Sequence, residues 1–383
     1  MSRSDMTAEV EIRRGLQGVY IDRSKSSFID GNTGKLLYRG YSIHDLAEQS
    51  SFEEIAYLLL YGSLPNRKDL KDFDDVLRSN RSIPSDVIEI IKVIKNAHPM
   101  DVLRTAMSAL SAYDSEVADN SVEATIRKGI RLTAQAPTIV TAHSRIKDGK
   151  DPVSPNINLN QAANFLYMLF DKEPTEQEAR LMEKDFVLHA EHGINASAFA
   201  ARVVASTNSD LHSAVVAGIG TLKGPAHGGA AEEVMAMALE IGEEDRAETY
   251  VRGILDNGGR IMGFGHRVYK VEDPRARHLQ TECQVLGDQK GQPKWFRILS
   301  KVAEVMEPYQ SRGICPNVDF WAGAMYHLMG IPKELFICIF AMGRIPGWTA
   351  QVTEQFSNNI LLRPLLLYDG PMDLPYVSLD DRK

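Results

Sequence analysis

The stretch Arg260-Ile-Met-Gly-Phe-Gly-His-Arg-Val-Tyr-Lys-Val-Glu-Asp-Pro-Arg275 decides between two kinds of fold. Its Gly263-Phe264-Gly265 resembles the start of a dinucleotide-binding G-x-G-x-x-G turn, which would lie between the strand and helix of a βαβ unit. Val268 stands where the third glycine belongs and no strand-like run precedes the segment, so that reading is rejected. The glycines have another use: without Cβ atoms they tolerate φ > 0 and let the backbone approach another body. They present His266 on a loop, where a ring with an ordinary pKa of about 6.5 can act as acid, base or donor. Arg267, Lys270, Arg275 and Arg277 follow, which suits a small anion as guest.

Outward from this loop the chain reads as helices. Phe52, Ile55, Leu58 and Leu59 recur at helical spacing, as do Val87, Ile90, Ile91 and Ile94. His98 before Pro99 marks a helix boundary. Helices are predicted over 158–170 and 175–189, the second opened by a Thr175/Glu178 capping box. Small-residue apolar segments at 196–206 and 213–220 predict tightly packed central helices. More follow at 230–240, 247–257, 295–307, 320–329, 333–342 and 348–358. The β-prone pieces are 18–22, 26–30 and 35–39, broken by Asp30-Gly31-Asn32 and Gly34, and they predict a small antiparallel hairpin system. The expected class is all-α: one large helical domain interrupted by a smaller one, with a minor N-terminal β element.

With 383 residues, 44% hydrophobic and 25% charged, the chain can bury a large core. A formal charge of −8 lacks the basic excess of a nucleic-acid binder, so nucleic acid is not an expected partner. Cys283, Cys315 and Cys338 show no C-x-x-C spacing, which predicts reduced thiols. No signal-peptide core is visible at the N-terminus, and apolar runs such as 335–342 are too short to span a bilayer. The expectation is a soluble, cytoplasmic protein with no membrane partner.

Three further segments carry chemistry. His227 lies in Lys223-Gly-Pro-Ala-His-Gly-Gly229, a glycine-rich turn before a helix. Asp319, followed by Phe320 and Trp321 at the head of an apolar helix, reads either as an ordinary N-cap or as a desolvated carboxylate. His189-Ala-Glu-His192 is not H-E-x-x-H and has no third ligand nearby, so no metal is expected. Walker A and G-x-S-x-G patterns are absent from the sequence.

Taken in order, Gly224-Pro-Ala-His-Gly-Gly229, Met262-Gly-Phe-Gly-His-Arg-Val-Tyr-Lys270 with Asp273-Pro-Arg275, and Pro316-Asn-Val-Asp-Phe320 resemble the signatures of the citrate synthase family. The segment 29–41, Glu191-His-Gly-Ile-Asn-Ala-Ser197 and Leu361-Leu-Arg-Pro364 fit the same pattern, so the likeness covers nearly the whole chain. It implies an almost wholly helical fold, with a large domain from residues 1–228 and 331–383 and a small domain from 229–330. It also implies a Claisen-type condensation of acetyl-CoA with oxaloacetate, then thioester hydrolysis to citrate and coenzyme A. That acyltransferase reaction opens the tricarboxylic acid cycle and needs no cofactor beyond the thioester co-substrate.

By the same resemblance His227, His266 and Asp319 form the catalytic triad, while Arg275, Arg344 and His192 hold oxaloacetate with Arg363 from a second subunit. A homodimer is therefore expected. Coenzyme A is expected at Arg260, Ile261, Gly263, Gly265, Lys270, Arg312 and Asn317. Ala231, Cys315 and Gln351 depart from the commoner family pattern. Within the family the alternative is a 2-methylcitrate synthase using propionyl-CoA, since one methylene discriminates by only about 1–3 kcal/mol. Outside it stands a non-catalytic acyl-CoA or dicarboxylate sensor, which would have no need of a base.

Overall fold

The computed structural model describes residues 11–383. Strands β1 (Ser27–Asp30), β2 (Lys35–Tyr38) and β3 (Tyr41–Ser42) form one antiparallel sheet in that order, with Phe28 opposite Leu37. The Asp30 carboxylate closes the first turn by accepting from the Asn32 backbone at 2.9 Å and the Thr33 hydroxyl at 2.8 Å. The expected strand at 18–22 is not one: Gly18 sits at φ 74 and the segment pairs with nothing in the sheet.

Everything else regular is helical. The helices are α1 (Ile43–Gln49), α2 (Phe52–Tyr61), α3 (Arg67–Ser79), α4 (Ser85–Val93), α5 (Pro99–Ala109), α6 (Val122–Lys147), α7 (Gln161–Phe170), α8 (Glu176–His189), α9 (Ala196–Ser206) and α10 (Leu211–Leu222). There follow α11 (Ala230–Ile241), α12 (Ala247–Asp256), α13 (Ala276–Gln289), α14 (Lys294–Met306), α15 (Asp319–Leu328) and α16 (Phe336–Ser357). Local chemistry sets many of their starts. The Thr175/Glu178 capping box forms as expected, Ser51 and Glu54 make another, and Asn195 and Asp210 cap α9 and α10. His98 caps α5 just before Pro99.

The C-terminal reading needs correction. Helices expected at 333–342 and 348–358 are one, because α16 runs straight through Pro346. A proline inside a helix removes one ladder bond, and burial of this helix on all sides outweighs that loss. The continuous stretch Lys333–Ser357 is long and apolar enough to cross a membrane, contrary to the expectation from shorter runs. Its most apolar part is instead wholly buried, packed against α2, α5, α6, α8, α9 and α10. Each large apolar side chain so buried contributes roughly 1.5–3 kcal/mol.

Glycines let α16 pack this closely. A Cβ at Gly218 would lie 2.9 Å from the Trp348 ring, and one at Gly347 would collide with the Ala190 carbonyl. Helices α11 to α15 pack largely on one another, with α15 touching α11, α13 and α14. Ion pairs join this group to the other helices: Lys184 of α8 reaches Glu282 of α13 at 2.6 Å, and Lys290 reaches Glu178 at 2.6 Å. The candidate site lies along this seam. All three cysteines are buried free thiols.

Candidate active site

Two irregular segments are stitched together to build the site. Gly265 N donates to Cys315 O at 2.8 Å, Asn317 N donates to Gly263 O at 2.9 Å, and Phe264 and Pro316 form an isolated bridge. The Asn317 amide completes the stitch by donating to Gly265 O at 3.1 Å. Gly263 and Gly265 both sit at φ 81, and a Cβ at Gly263 would lie 2.7 Å from Phe320 and from Val234. This pairing brings the His266 loop alongside the head of α15.

Asp319 is the first residue of α15, yet its carboxylate does not cap it. Asn317 Oδ1 takes that role, accepting the Asp319 backbone N–H at 3.1 Å. Among the described residues nothing donates a hydrogen bond to the Asp319 carboxylate, and burial pushes its pKa up to about 6. Of the two readings open from sequence, the desolvated carboxylate is the one observed.

His266 Nδ1 accepts from the backbone N–H groups of Val268 at 3.0 Å and Tyr269 at 3.2 Å. An amide can only donate, so the proton of the neutral ring sits on Nε2, which is thereby a donor. His227 stands in a tight turn in which its own N–H and that of Gly228 both reach Gly224 O. Its Nε2 faces Ser197, accepting from the backbone N–H at 3.3 Å with the hydroxyl 2.9 Å away. The same logic puts the proton of His227 on Nδ1. Burial, then nearby arginines, lower both rings to about 4, so both are neutral at ordinary pH.

The third ring is His192, buried, 5.1 Å from His266 between centroids and 3.0 Å from the Tyr269 hydroxyl through Nε2. Desolvation together with Arg275, His266 and Arg344 holds its pKa well below the ordinary value.

The arginines differ in availability. Arg275, at the N-cap of α13, is buried with Nε and Nη2 on the Asp273 carboxylate at 2.9 and 2.7 Å. Arg344 is buried over the Phe340 ring, with Nε donating to the His189 carbonyl. Among the described residues its Nη1 and Nη2 have no hydrogen-bond partner. Such orphaned donors are costly unless an anion meets them. Burial drags the Arg344 pKa down to about 10, and Glu191, Tyr38, Arg275 and Asp319 all lie close enough to perturb it.

Thus His192, His227, His266, Arg275, Arg344 and Asp319 converge. Arg363 does not: it is exposed in the irregular segment after α16. Among the residues expected around coenzyme A, Ile261 and Gly263 are buried, and Gly265 and Asn317 line the stitched loop. Lys270 and Arg312 are exposed cations on one rim, since Lys270 packs on Gly313. Arg260 is exposed, and no hydrogen bond or ion pair ties it to that rim among the described residues.

Sequence reading missed several partners. Ser197 anchors His227 while also accepting from Trp348 Nε1 at 3.1 Å. Tyr269 and Asp273 lie inside the opening stretch but carry no sequence mark of their roles. Glu191 was visible only as part of a failed zinc pattern. It is buried, held by Ser27 Oγ at 3.0 Å and Gln351 Nε2 at 2.8 Å.

Comparison with known proteins follows the same lines. Residues 15–365 match the sequence family described as "Citrate synthase, C-terminal domain". The chain is similar to the citrate synthase of Haloferax volcanii, 44% identical over 97% of this chain and 99% of that protein. It is also similar to 2-methylcitrate synthase 1 of Corynebacterium glutamicum, 39% identical over 98% of this chain and 100% of that one. Among solved structures it resembles the citrate synthase of the archaeon Thermoplasma acidophilum, solved as a ternary complex with carboxymethyl coenzyme A and oxaloacetate, at TM-score 0.93 and 32% identity, covering 97% of this chain and 100% of that one.

Proposed function

The chain belongs to the citrate synthase family, and from that premise we propose that it condenses acetyl-CoA with oxaloacetate and hydrolyses the product thioester to citrate and coenzyme A. The observation that carries this reading is a lone desolvated carboxylate, Asp319, at the head of the helix whose lead-in is stitched to the His266 loop, together with two neutral histidines of defined tautomer and a buried arginine with free donors. Oxaloacetate is a dianion. One carboxylate meets Nη1 and Nη2 of Arg344 and the other is drawn by Arg275, with His192 alongside, since guanidinium forks suit bidentate carboxylates.

Ionised Asp319 then takes a proton from the thioester methyl group. The developing enolate oxygen is met by the Nδ1–H of His227, and a neutral donor stabilises it without protonating it outright. The nucleophilic carbon attacks the oxaloacetate ketone, whose oxygen takes a hydrogen bond from His266 Nε2–H as it gains charge. Water attack on the resulting citryl thioester releases the thiol. The coenzyme A arm follows the 261–265 backbone and Asn317, with Lys270, Arg312 and Arg260 for its phosphates. No cofactor beyond that co-substrate enters these steps, and acetyl-CoA chemistry with three reduced thiols suits the cytoplasm.

Propionyl-CoA as donor, giving 2-methylcitrate, is the second reading, favoured by the likeness to the Corynebacterium enzyme. The test of the proposal is release of free coenzyme A thiol: it is expected only when acetyl-CoA and oxaloacetate are both present. Binding of both without thiol release would instead support a sensor.

The working form is a homodimer. After α16 the chain runs on with exposed apolar side chains, Leu366 at 97%, Tyr376 at 86% and Leu365 at 81%, far more than a solitary surface tail needs. A second copy would cover them and bring its Arg363 to the site. Sedimentation velocity is expected to give a dimer, and a fully active monomer would contradict this.

A further inference from the structure

Glu191 is the buried charge that the reaction above leaves unused. It is fully buried in the link between α8 and α9, one residue before His192. Its Oε1 accepts from Ser27 of β1 and Gln351 of α16, while Oε2 is buried with no hydrogen-bond partner among the described residues. Arg344, two turns of α16 before Gln351, is likewise buried with two nitrogens unpartnered among the described residues, and the two groups interact through space without closing into a direct ion pair. Each is the opposite charge that acts most strongly on the other.

From this geometry we infer that Glu191 is a proton-linked counter-ion: at alkaline pH it is ionised while Arg344 is free of substrate, and it takes up one proton from solvent when a substrate carboxylate pairs with Arg344. The inference rests on the assignment of Arg344 to oxaloacetate. A dianion arriving at Arg344 supplies the negative charge that Glu191 had supplied and adds like charge beside it, and an unpaired buried carboxylate so placed is better neutral. Glu191 is a positioning residue here, acting through Arg344 without needing to touch substrate.

The surroundings leave Glu191 as the titrating group. From α16 it faces Arg344, Gln351 and Glu354, and Glu354 is already paired with Arg39 at 3.3 Å and Arg202 at 3.7 Å. From β2 it faces Tyr38, which burial pushes up to about 12, and its chain neighbour His192 is held neutral. Burial raises Glu191 itself to about 7, against the pull of Arg344, Gln351 and Ser27. The sign follows. Below pH about 7 the empty site already holds the proton and binding takes up none. Above it binding must acquire one, so oxaloacetate affinity falls by up to tenfold per pH unit until the bound-state pKa is passed.

Isothermal titration of oxaloacetate into the intact protein, in buffers of different ionisation enthalpy, reads this directly. At pH 7.5–8 the expected uptake is about half a proton or more per site. Glu191→Gln is expected to abolish the uptake and flatten the dependence of Kd on pH. Ser27→Ala, which removes one donor to the carboxylate at the protein's periphery, is expected to move the uptake window to higher pH, and it serves if the first variant fails to fold. Binding with no proton uptake in the wild-type protein, or uptake unchanged in Glu191→Gln, overturns the role of Glu191. No oxaloacetate binding at any pH would instead overturn the assignment of the site.

Discussion

Asp319→Ala is expected to lower kcat by about 10²–10⁴-fold, the usual worth of a positioned general base, while oxaloacetate still binds with nearly its original affinity. The asymmetry follows from which substrate the carboxylate serves: it acts on the thioester methyl group, whereas oxaloacetate is held by arginines. Because burial raises Asp319 to about 6, the wild-type kcat/KM is expected to rise with pH through that value and then level off. The histidines, at about 4, do not limit it.

Stability has the opposite sign. A carboxyl whose folded pKa exceeds its unfolded value costs stability once pH passes the unfolded value, and the cost is complete above the folded pKa. A rise from 3.8 to about 6 corresponds to on the order of 3 kcal/mol at neutral pH. The variant is therefore expected to keep or raise its Tm despite the loss of turnover. Equal losses of turnover and oxaloacetate binding would contradict the role given to Asp319.

Arg344→Met is expected to weaken oxaloacetate binding by about 30- to several-thousand-fold, the range for removing one partner of a buried charge pair, about 2–5 kcal/mol. The buried guanidinium holds two donors without partners among the described residues, so the protein already bears the desolvation cost that the substrate then offsets. Methionine fills much of the same space without the charge, and lysine is not expected to rescue, because a single ammonium cannot reproduce the fork. The KM for acetyl-CoA should change far less. Titration calorimetry decides, and unaltered oxaloacetate affinity would remove Arg344 from the substrate site.

The helical class was legible because apolar residues recur at 3.6-residue spacing and because Val268 broke the dinucleotide fingerprint. The three loop motifs were legible because glycine, histidine and aspartate sit together in sequence. What stayed hidden was set by long-range contact. Whether Asp319 capped α15 depended on Asn317 taking that bond, and the identity of α16 as one helix depended on packing that overrides Pro346. The segment 18–22 looked like a strand because β-propensity ignores whether a partner exists. Glu191 and Ser197 gained meaning only when α16 and the His227 turn were folded against them.

The central claim is that the site makes an enolate from an acetyl thioester and captures it on oxaloacetate. Its most direct test is kcat/KM for acetyl-CoA against propionyl-CoA at saturating oxaloacetate, followed by thiol release. The expected result is clear preference for acetyl-CoA with citrate as product; a clear preference for propionyl-CoA would contradict it.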